Sequence, residues 1–244
     1  MIVILGGTAE GRELAAALTE RGVPAVLSLA GRTRAALATG EARVGGFGGV
    51  SGLADFLRAH KVEHVVDATH PFAAQMSANA AEACRTVDVP LLRLARPGWE
   101  GHRLAGTWRW VDSHDGAAAL VAERDTGGVL LTVGKQHTLD YAPRLADRRV
   151  VARMTEPPAS PLPEGWELLL ARGPFSLDGE LELFRRLGVK VLVAKDSGGQ
   201  ATAAKLDAAS IVGAEIVMIG RPPSPDGVET VGTVAEALAF LTPA

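Results

Sequence analysis

The stretch that decides the fold is Met1-Ile-Val-Ile-Leu-Gly-Gly-Thr-Ala-Glu-Gly-Arg12, in which an apolar run stops at two glycines and a helical pattern follows. Residues 2–5 are all aliphatic, as in a strand that is buried on both faces of a parallel sheet. From Glu10 onward, Leu14, Ala15 and Leu18 recur at helical spacing. The stretch therefore predicts a strand, a tight turn and a helix whose first backbone N–H groups face whatever lies over the turn.

The turn itself is typical of a nucleotide phosphate site. Residues 6–11 read Gly-Gly-Thr-Ala-Glu-Gly, which is the dinucleotide pattern G-x-G-x-x-G with Thr8 in place of the middle glycine. The pattern alone is weakly specific, because an ordinary strand-to-helix connection uses the same residue types. Both interpretations stay open, and the first makes Gly6, Gly7, Thr8 and Glu10 cofactor-binding residues, with the Thr8 hydroxyl available to the cofactor.

Length and composition exclude several classes of protein. A chain of 244 residues with 47% hydrophobic residues suits one large or two small domains with a substantial core. The net charge of −3 gives no general positive field for nucleic acid or an anionic membrane. Cys84 is the single cysteine, so no internal disulfide can form, and no window of about 18 apolar residues predicts a membrane span. Because the chain opens on a core strand and not on a leader, we expect a cytoplasmic protein without nucleic-acid or membrane partners.

The end of the second predicted strand, 25–29, indicates which dinucleotide is bound. In NAD-binding folds an acidic residue about 20 positions past the glycine turn holds the ribose 2′-hydroxyl, whereas an arginine there accommodates a 2′-phosphate. This chain offers Ser28, Arg32 and Arg34 at that place and no carboxylate. The sequence therefore predicts NADP rather than NAD, and the alternative is that both arginines are solvated loop residues.

A further polar turn, 68–73, follows the predicted strand 63–67. Open α/β sheets bind ligands at the carboxyl ends of their strands, so we expect Thr69, His70 and Pro71 to contact the cofactor. Pro71 also suits the first turn of a helix over 72–87, with Thr69 or His70 as its cap. A capping role and a role in proton transfer therefore both stay open for His70.

We place a domain boundary near residues 96–106, which gives a first domain over 1–100 and a second over 101–244. The fold class is α/β, with two Rossmann-like three-layer domains, mostly parallel sheets and a cleft between them. Strand–helix units precede the boundary, and the second half repeats the scheme. Its predicted strands are 108–111, 128–133, 149–154, 166–171, 190–194 and 215–220. Its predicted helices are 114–124, one that starts at 172–175 with Leu177, Leu181, Phe184 and Leu187 facing the core, one that ends near 212, and 233–241.

The strand ends of the second half are basic, with Asp196 as the main opposing charge. Two glycines, Ser197 and Thr202 precede a helix flanked by Lys195 and Lys205, which predicts a second anion-binding helix start. Since Lys and Arg suit carboxylates, we expect an acidic substrate here. The predicted substrate-binding residues are Lys135, Arg172, Lys195, Ser197, Gly198, Gly199, Thr202, Lys205 and Arg221. The alternative is that some of these cations pair with helix carboxylates.

Other chemistries lack their motifs. The six histidines show no metal-ligand spacing with Cys84, which lies among alanines in a predicted helix, so we expect no metal and a buried thiol. Neither a G-x-S-x-G elbow nor a Walker A pattern occurs, which disfavours serine hydrolysis and ATP-driven phosphoryl transfer.

Six stretches together resemble the precorrin-6A reductase family. They are Ile4–Arg12, Asp67–Ala73 with Ser77-Ala-Asn79, Arg93–Trp99, Arg172–Phe175, Lys195–Gly199 with Lys205, and Arg221–Pro223. The resemblance spans nearly the whole chain and implies an enzyme of cobalamin biosynthesis that uses NADPH to reduce one double bond of precorrin-6A, giving precorrin-6B. The Ala-, Arg- and Gly-rich composition favours the metal-free ring. A cobalt-loaded ring is the alternative, because both branches share these motifs.

In this interpretation the protein mainly positions the nicotinamide against an electrophilic ring carbon. Candidates for the proton donor are His70, Lys195 and Asp196, with solvent as the other source. Neighbouring enzymes of the pathway are expected as transient partners. A non-catalytic NADP-sensing module is the alternative function, because the same glycine turn could serve it. A glycosyl or nucleotide-sugar transferase fits the architecture but finds no support in particular residues.

Overall fold

The computed structural model describes residues 1–29, 41–124 and 127–241. The chain forms two compact units, of which the first comprises Met1–Pro97 with Pro222–Ala244 and the second comprises Gly98–Arg221. Each unit contains one six-stranded sheet in which every pairing is parallel. The predicted α/β class with two mostly parallel sheets is confirmed. Within the described ranges, no helix is long and apolar enough to cross a membrane.

Most of the described strands are followed by an α-helix. In the first part of the chain the elements are β1 (Ile2–Leu5), α1 (Ala9–Glu20), β2 (Ala25–Leu29), β3 (Glu41–Val44), α2 (Gly49–Ala59), β4 (His64–Asp67), α3 (Ala74–Val87) and β5 (Leu91–Leu94). The middle part contains β6 (Arg109–Val111), α4 (His114–Ala122), β7 (Gly128–Leu131), α5 (Ala142–Leu145), β8 (Val150–Met154) and β9 (Glu167–Leu170). The last part contains α6 (Leu177–Leu187), β10 (Val189–Lys195), α7 (Ala204–Ile211), β11 (Glu215–Ile219), β12 (Glu229–Val231) and α8 (Val234–Leu241). Short 3₁₀ turns span Ala105–Thr107, Thr138–Tyr141 and Gln200–Thr202.

The first sheet has the strand order β12-β5-β4-β1-β2-β3. Successive side chains of a strand point to opposite faces, so β1 contributes to two separate cores. Ile2 and Ile4 pack with α1 and α8, whereas Val3 and Leu5 pack with α2 and α3. The order of strands reverses between β1 and β4, and in open α/β sheets such a reversal is where ligands bind.

The second sheet repeats this plan with the order β6-β11-β10-β7-β8-β9, and its reversal lies between β7 and β10. Its core contains Leu130, Leu192, Phe184 and Met218. Both sheets therefore have a reversal point at which the loops after two adjacent strands diverge.

The chain's last segment differs from the predicted second domain over 101–244. Strand β12 pairs with β5 in the first sheet, with Val231 opposite Leu94, and α8 buries Ala237 and Leu241 in the core that also contains Leu14. The second unit thus ends at Arg221. Burial of the apolar face of α8 against α1 explains why the segment returns to the first unit.

Two helices begin later than predicted. Helix α3 begins at Ala74 and not at Phe72, and its N-cap residue, Ala73, makes no side-chain capping bond. Helix α6 begins at Leu177 with Ser176 as its N-cap, because the Ser176 hydroxyl accepts from the Gly179 amide. Leu177 is 39% exposed, so the prediction that it faces the core was wrong. The first helical turn instead carries the acidic residues that suit a helix N-terminus.

Candidate functional site

The turn between β1 and α1 is held by Thr8, the N-cap of α1. Its hydroxyl oxygen accepts from the Gly11 amide at 3.1 Å, and its hydroxyl proton is donated to the carbonyl oxygen of Ala68 at 2.8 Å. Ala68 in turn donates its amide to the carbonyl of Leu5 at 2.9 Å. The proton of Thr8 is thus already engaged within the protein, and the residue joins the turns that follow β1 and β4.

Two glycines give this turn its shape. A Cβ added to Gly6 would lie 2.6 Å from a methyl carbon of Leu27, so a larger residue would have to displace the Leu27 side chain of β2. Gly7 has a φ of +146°, which L side chains rarely adopt. In the described part of the chain, the amides of Gly7 and Thr8 have no hydrogen-bond acceptor, and both lie at the positive end of the α1 dipole. The turn therefore fits an anionic group such as a dinucleotide pyrophosphate.

The turn after β4 rests on a buried ion pair. Nη1 of Arg93 donates to Oδ2 of Asp67 at 2.5 Å and to the hydroxyl of Ser77 at 2.5 Å. The other carboxylate oxygen of Asp67 accepts from the Thr69 amide at 3.1 Å and the Thr69 hydroxyl at 2.6 Å. All four residues are buried. The Thr69 hydroxyl thus fixes the turn after β4. The prediction that Thr69 caps α3 was wrong.

The remaining predicted cofactor residues of the turn have structural partners too. Nδ1 of His70 accepts from the Phe72 amide at 3.2 Å within the turn, so His70 does not cap α3 either. Pro71 lies in this turn, before the helix begins. Glu10 accepts from Nη1 of Arg96 at 2.8 Å, which keeps its carboxylate paired.

The end of β2 is described only in part. Ser28 is buried and lies opposite Leu5 on one side and Arg43 on the other. Arg32 and Arg34, which the sequence assigns to a 2′-phosphate, lie outside the described residues.

At the reversal point of the second sheet, Lys195 ends β10 beside the loop that follows β7. A Cβ added to Gly134 would lie 3.8 Å from Nζ of Lys195. Burial lowers the pKa of Lys195 to about 8. The ammonium of Lys195 therefore gives up a proton far more readily than that of a solvated lysine.

Lys205 lies in the first turn of α7 and is only 5% exposed. The pKa of Lys205 is lowered to about 7, chiefly by burial and also by the charges of Arg153 and Lys195, while Glu180 opposes these effects. Nη1 of Arg153 donates to Oε1 of Glu180 at 2.5 Å, and both side chains are buried. This cluster contains three basic groups and one acidic group, so an added anion would be attracted to it.

Asp196 is buried and organises the loop that follows β10. Its carboxylate accepts from the Trp99 amide at 2.5 Å, and its Oδ2 lies 3.2 Å from Nε of Arg221. Nε of Arg221 also donates to the Asp196 carbonyl at 2.7 Å. A Cβ added to Gly98 would come within 2.5 Å of the carboxylate. Asp196 thus positions Trp99 and Arg221.

The other predicted substrate-binding residues do not all lie beside Lys195 and Lys205. Lys135 pairs with Glu156 at 2.5 Å, an ion pair to a loop carboxylate and not to a helix carboxylate as the alternative has it. Arg172 is exposed. Ser197, Gly198 and Gly199 form the loop after Asp196, where both glycines have positive φ, and Thr202 lies in the following 3₁₀ turn. The structure therefore brings Lys195 and Lys205 together and joins Arg221 to Asp196.

Sequence reasoning assigned no role to three features near these residues. They are the Arg93–Asp67 pair, the Arg153–Glu180 pair, and a stack of His114 on His137 with ring centroids 4.1 Å apart. Nδ1 of His114 lies 3.1 Å from the Tyr141 hydroxyl. Burial, with the charges of His137 and Lys195, lowers the pKa of His114 to about 4. Each of the two ion pairs could have been suspected from the sequence, because each has an arginine inside an otherwise apolar strand.

A cavity of about 440 Å³ lies at the carboxyl ends of β6, β11 and β10. Its lining includes the carboxylates of Glu100, Asp112 and Asp196 together with Arg221 and Trp110. Three carboxylates disfavour an acidic ligand there. Lys195 and Lys205 are not among its lining residues. Cys84 is buried, and burial raises the pKa of its thiol to about 12, so the predicted inert thiol is confirmed.

The chain is similar to known proteins over almost its full length. A family model described as Precorrin-6x reductase CbiJ/CobK matches residues 1–242. A precorrin-6A reductase from Rhodococcus erythropolis is 47% identical over 242 residues, which cover 98% of this chain and 96% of that protein. A cobalt-precorrin-6A reductase from Priestia megaterium is 31% identical over 238 residues, which cover 91% of each. The solved structure of CobK precorrin-6A reductase matches with a TM-score of 0.86 and 39% identity, over 98% of this chain and 95% of that one.

Proposed function

The chain belongs to the precorrin-6x reductase family of cobalamin biosynthesis, and we propose that it reduces precorrin-6A to precorrin-6B with NADPH. When bound, NADPH supplies the hydride that saturates one double bond of the macrocycle. The residues of the chain bind and orient the two reactants and provide the proton.

The observation that carries the cofactor assignment is the β1–α1 turn. The amides of Gly7 and Thr8, which have no acceptor among the described residues, and the close approach of Gly6 to Leu27 fit a dinucleotide pyrophosphate at this reversal point. We propose that Ser28 lies near the ribose and that Arg32 and Arg34 accept the 2′-phosphate. The adjoining turn, with Thr69, His70 and Pro71, would line the cofactor site on the side of β4.

We propose that the acidic side chains of the tetrapyrrole bind at the basic loop ends of the second unit. Lys195 and Lys205 are strongly desolvated and have lowered pKa values, so a bound carboxylate would restore the stability of their charged forms. The amides of Gly198 and Gly199 and the exposed Arg172 would reach further carboxylates, whereas the Ser197 amide already donates to the carbonyl of Lys195 at 2.7 Å. Arg221 would take part through the orientation that Asp196 gives it.

Among the three candidate proton donors we favour Lys195. Its pKa of about 8 places a protonated, releasable ammonium at the reversal point at neutral pH. The Asp196 carboxylate accepts from the Trp99 amide and pairs with Arg221, so we propose that it acts as a positioning residue. His70 uses Nδ1 to accept from Phe72 within its own turn.

We further propose that the substrate is the metal-free ring. Five curated relatives named precorrin-6A reductase are 42–47% identical to this chain, whereas three named cobalt-precorrin-6A reductase are 28–31% identical. Steady-state assays with precorrin-6A and cobalt-precorrin-6A test this choice. A higher kcat/KM for the metal-free ring is expected, and a higher value for the cobalt-loaded ring would reverse the assignment.

The cofactor assignment is tested by following the absorbance of the reduced nicotinamide with precorrin-6A present. We expect kcat/KM with NADPH to exceed that with NADH by roughly tenfold or more, because charge-assisted bonds to the 2′-phosphate are made only by NADPH. Equal values would show that the 2′-phosphate is not recognised. Oxidation of neither cofactor would overturn the proposed reaction.

A further inference from the structure

We infer that Arg43 is a specificity-determining residue that contacts the 2′-phosphate of NADPH at the carboxyl ends of β2 and β3. The inference rests on the proposed function, because it takes the dinucleotide to bind at the β1–α1 turn. It concerns a residue to which the sequence patterns assign no role.

The sheet register places Arg43 beside the predicted ribose site. Arg43 lies opposite Ser28 in the parallel pairing of β2 and β3, so the two residues are neighbours on one face of the sheet. The backbone continues this pairing beyond the strands, since Gly45 donates its amide to the carbonyl of Leu29 at 2.8 Å. In dinucleotide-binding folds the end of the second strand is where the ribose 2′ substituent is recognised. Arg43 is therefore a cation at the place where an NADPH-specific site needs one.

The guanidinium of Arg43 is held in a fixed position. Nη1 donates to the carbonyl of Gly45 at 2.6 Å, and Nη2 donates to the carbonyl of Gly46 at 2.8 Å. The guanidinium carbon lies 4.0 Å above the centre of the Phe47 ring, and Phe47 packs edge-on against Phe56 of α2. Two hydrogen bonds and an aromatic platform immobilise a long side chain that would otherwise lose conformational entropy when it binds a ligand. A pre-organised cation of this kind is suited to bind an anion.

The charge of Arg43 is not neutralised by the part of the chain that the structure describes. Its two hydrogen bonds go to neutral carbonyl groups, and three of its five N–H donors remain. No carboxylate of residues 1–29, 42–124 or 127–241 forms an ion pair with it. Arg58 in the neighbouring helix α2 is by contrast paired with Asp55 at 3.1 Å. A half-buried guanidinium whose observed hydrogen bonds go to neutral carbonyl groups gains most from a dianionic phosphate, which its planar donor set matches.

A second role would explain the same contacts, because Arg43 also shapes the loop 45–49. The two roles predict different binding data. Loss of the loop shape alone would weaken NADPH and NADH equally, since both share the adenine and ribose. Loss of a phosphate contact weakens NADPH alone.

The test is a fluorescence titration of the full chain with NADPH and with NADH, without macrocycle. Four proteins are compared: the wild type, Arg43→Gln, Arg43→Lys, and Arg58→Gln as the matched control for loss of a positive charge in the same unit. In Arg43→Gln we expect the Kd of NADPH to rise by roughly 10- to 100-fold, as for loss of a hydrogen bond to a charged group, while that of NADH changes by less than about twofold. Arg43→Lys should retain part of the preference, because it keeps the charge, and Arg58→Gln should retain all of it.

An equal rise of both Kd values in Arg43→Gln, or no rise in either, would overturn the inference. The failure of the broader proposal would look different. If the wild type itself binds NADPH and NADH equally, the proposed NADPH specificity and the proposed role of Arg43 are both contradicted. If the wild type prefers NADPH and Arg43→Gln keeps that preference, only Arg43 is excluded.

Discussion

The hydroxyl of Thr8 donates a hydrogen bond to the carbonyl oxygen of Ala68, a residue 60 positions away, and so joins the turns that follow β1 and β4. The same hydroxyl oxygen accepts from the Gly11 amide and caps α1. A Cβ added to Gly11 would lie 3.1 Å from the Cβ of Ala68, which leaves little room for any other arrangement. The position of the phosphate-binding turn is therefore set by the neighbouring strand as well as by its own glycines.

Replacing Thr8 with Val removes both hydrogen bonds while keeping the side-chain volume. We expect the free energy of unfolding to fall by about 1–2 kcal/mol, as for loss of an N-cap, and the Kd of NADPH to rise. Urea denaturation and cofactor titration measure the two effects. Thr8→Ser is the matched control, because its hydroxyl can make both bonds, and it should behave as the wild type. Equal effects of Val and Ser would show that the hydroxyl does not hold the turn.

The buried Arg93–Asp67 pair should be the most costly ion pair of the first unit to break. Arg93 and Asp67 are 6% and 2% exposed, so Arg93→Met leaves a buried, uncompensated carboxylate. We expect a loss of about 3–5 kcal/mol in the free energy of unfolding by urea. Arg58→Met in the exposed pair with Asp55 should cost less than about 1 kcal/mol. Losses of similar size in both variants would contradict the structural role assigned to Arg93.

The pH profile of the reaction tests Lys195 as the proton donor. Because burial lowers the pKa of Lys195 to about 8 in the free protein, its ammonium is present below that pH and is lost above it, so kcat/KM, which reports the free enzyme, should fall as pH rises through about 8. His114, with a pKa near 4, stays neutral over this range, and Lys205 titrates near 7.

Lys195→Arg separates donation from binding. It keeps the positive charge but cannot release a proton near neutral pH, so kcat should fall by roughly 10²- to 10⁴-fold with a smaller change in the KM for the macrocycle. Lys195→Met should lower kcat and also raise the KM for the macrocycle. An unchanged pH profile and kcat in Lys195→Arg would point to solvent as the proton source.

Lys205 should make stability depend on pH. Its pKa is about 7 in the folded chain, against 10.5 for a solvated lysine, so between these values the unfolded chain binds more protons. Stability therefore rises with pH across this window, by up to about 1.4 kcal/mol per pH unit, and the penalty is fully present below about pH 7. In Lys205→Met this contribution disappears. Urea unfolding of both proteins between about pH 7 and 9 measures the difference in slope, and parallel curves would contradict the lowered pKa.

The strand ends of the molecule could be predicted because each ends an apolar run. The Gly6–Gly7 turn, α1 and the second-half strands such as β10 were all located in this way, within one or two residues. Strand β12 was missed, since its three residues, Glu229-Thr-Val231, are mostly exposed and show no apolar run. Its pairing with β5 depends on a contact far away in sequence, which local patterns do not report.

The candidate site could also be predicted only in part from the sequence. Sequence patterns identified the residues at the strand ends, but could not tell which charges are paired. Lys135 has Glu156 as its partner and Glu10 has Arg96, and the two residues of each pair lie far apart in the sequence. The lowered pKa values of Lys195 and Lys205 likewise depend on burial, which the sequence shows only indirectly.

The proposed reaction is tested most directly by a stoichiometric incubation of the purified chain with precorrin-6A and a limiting amount of NADPH. We expect each NADPH oxidised to yield one molecule of precorrin-6B, heavier than precorrin-6A by two hydrogens, and deuterium carried by the nicotinamide to appear in the product. NADPH oxidation without a reduced macrocycle, or no oxidation at all, would contradict the proposed reaction.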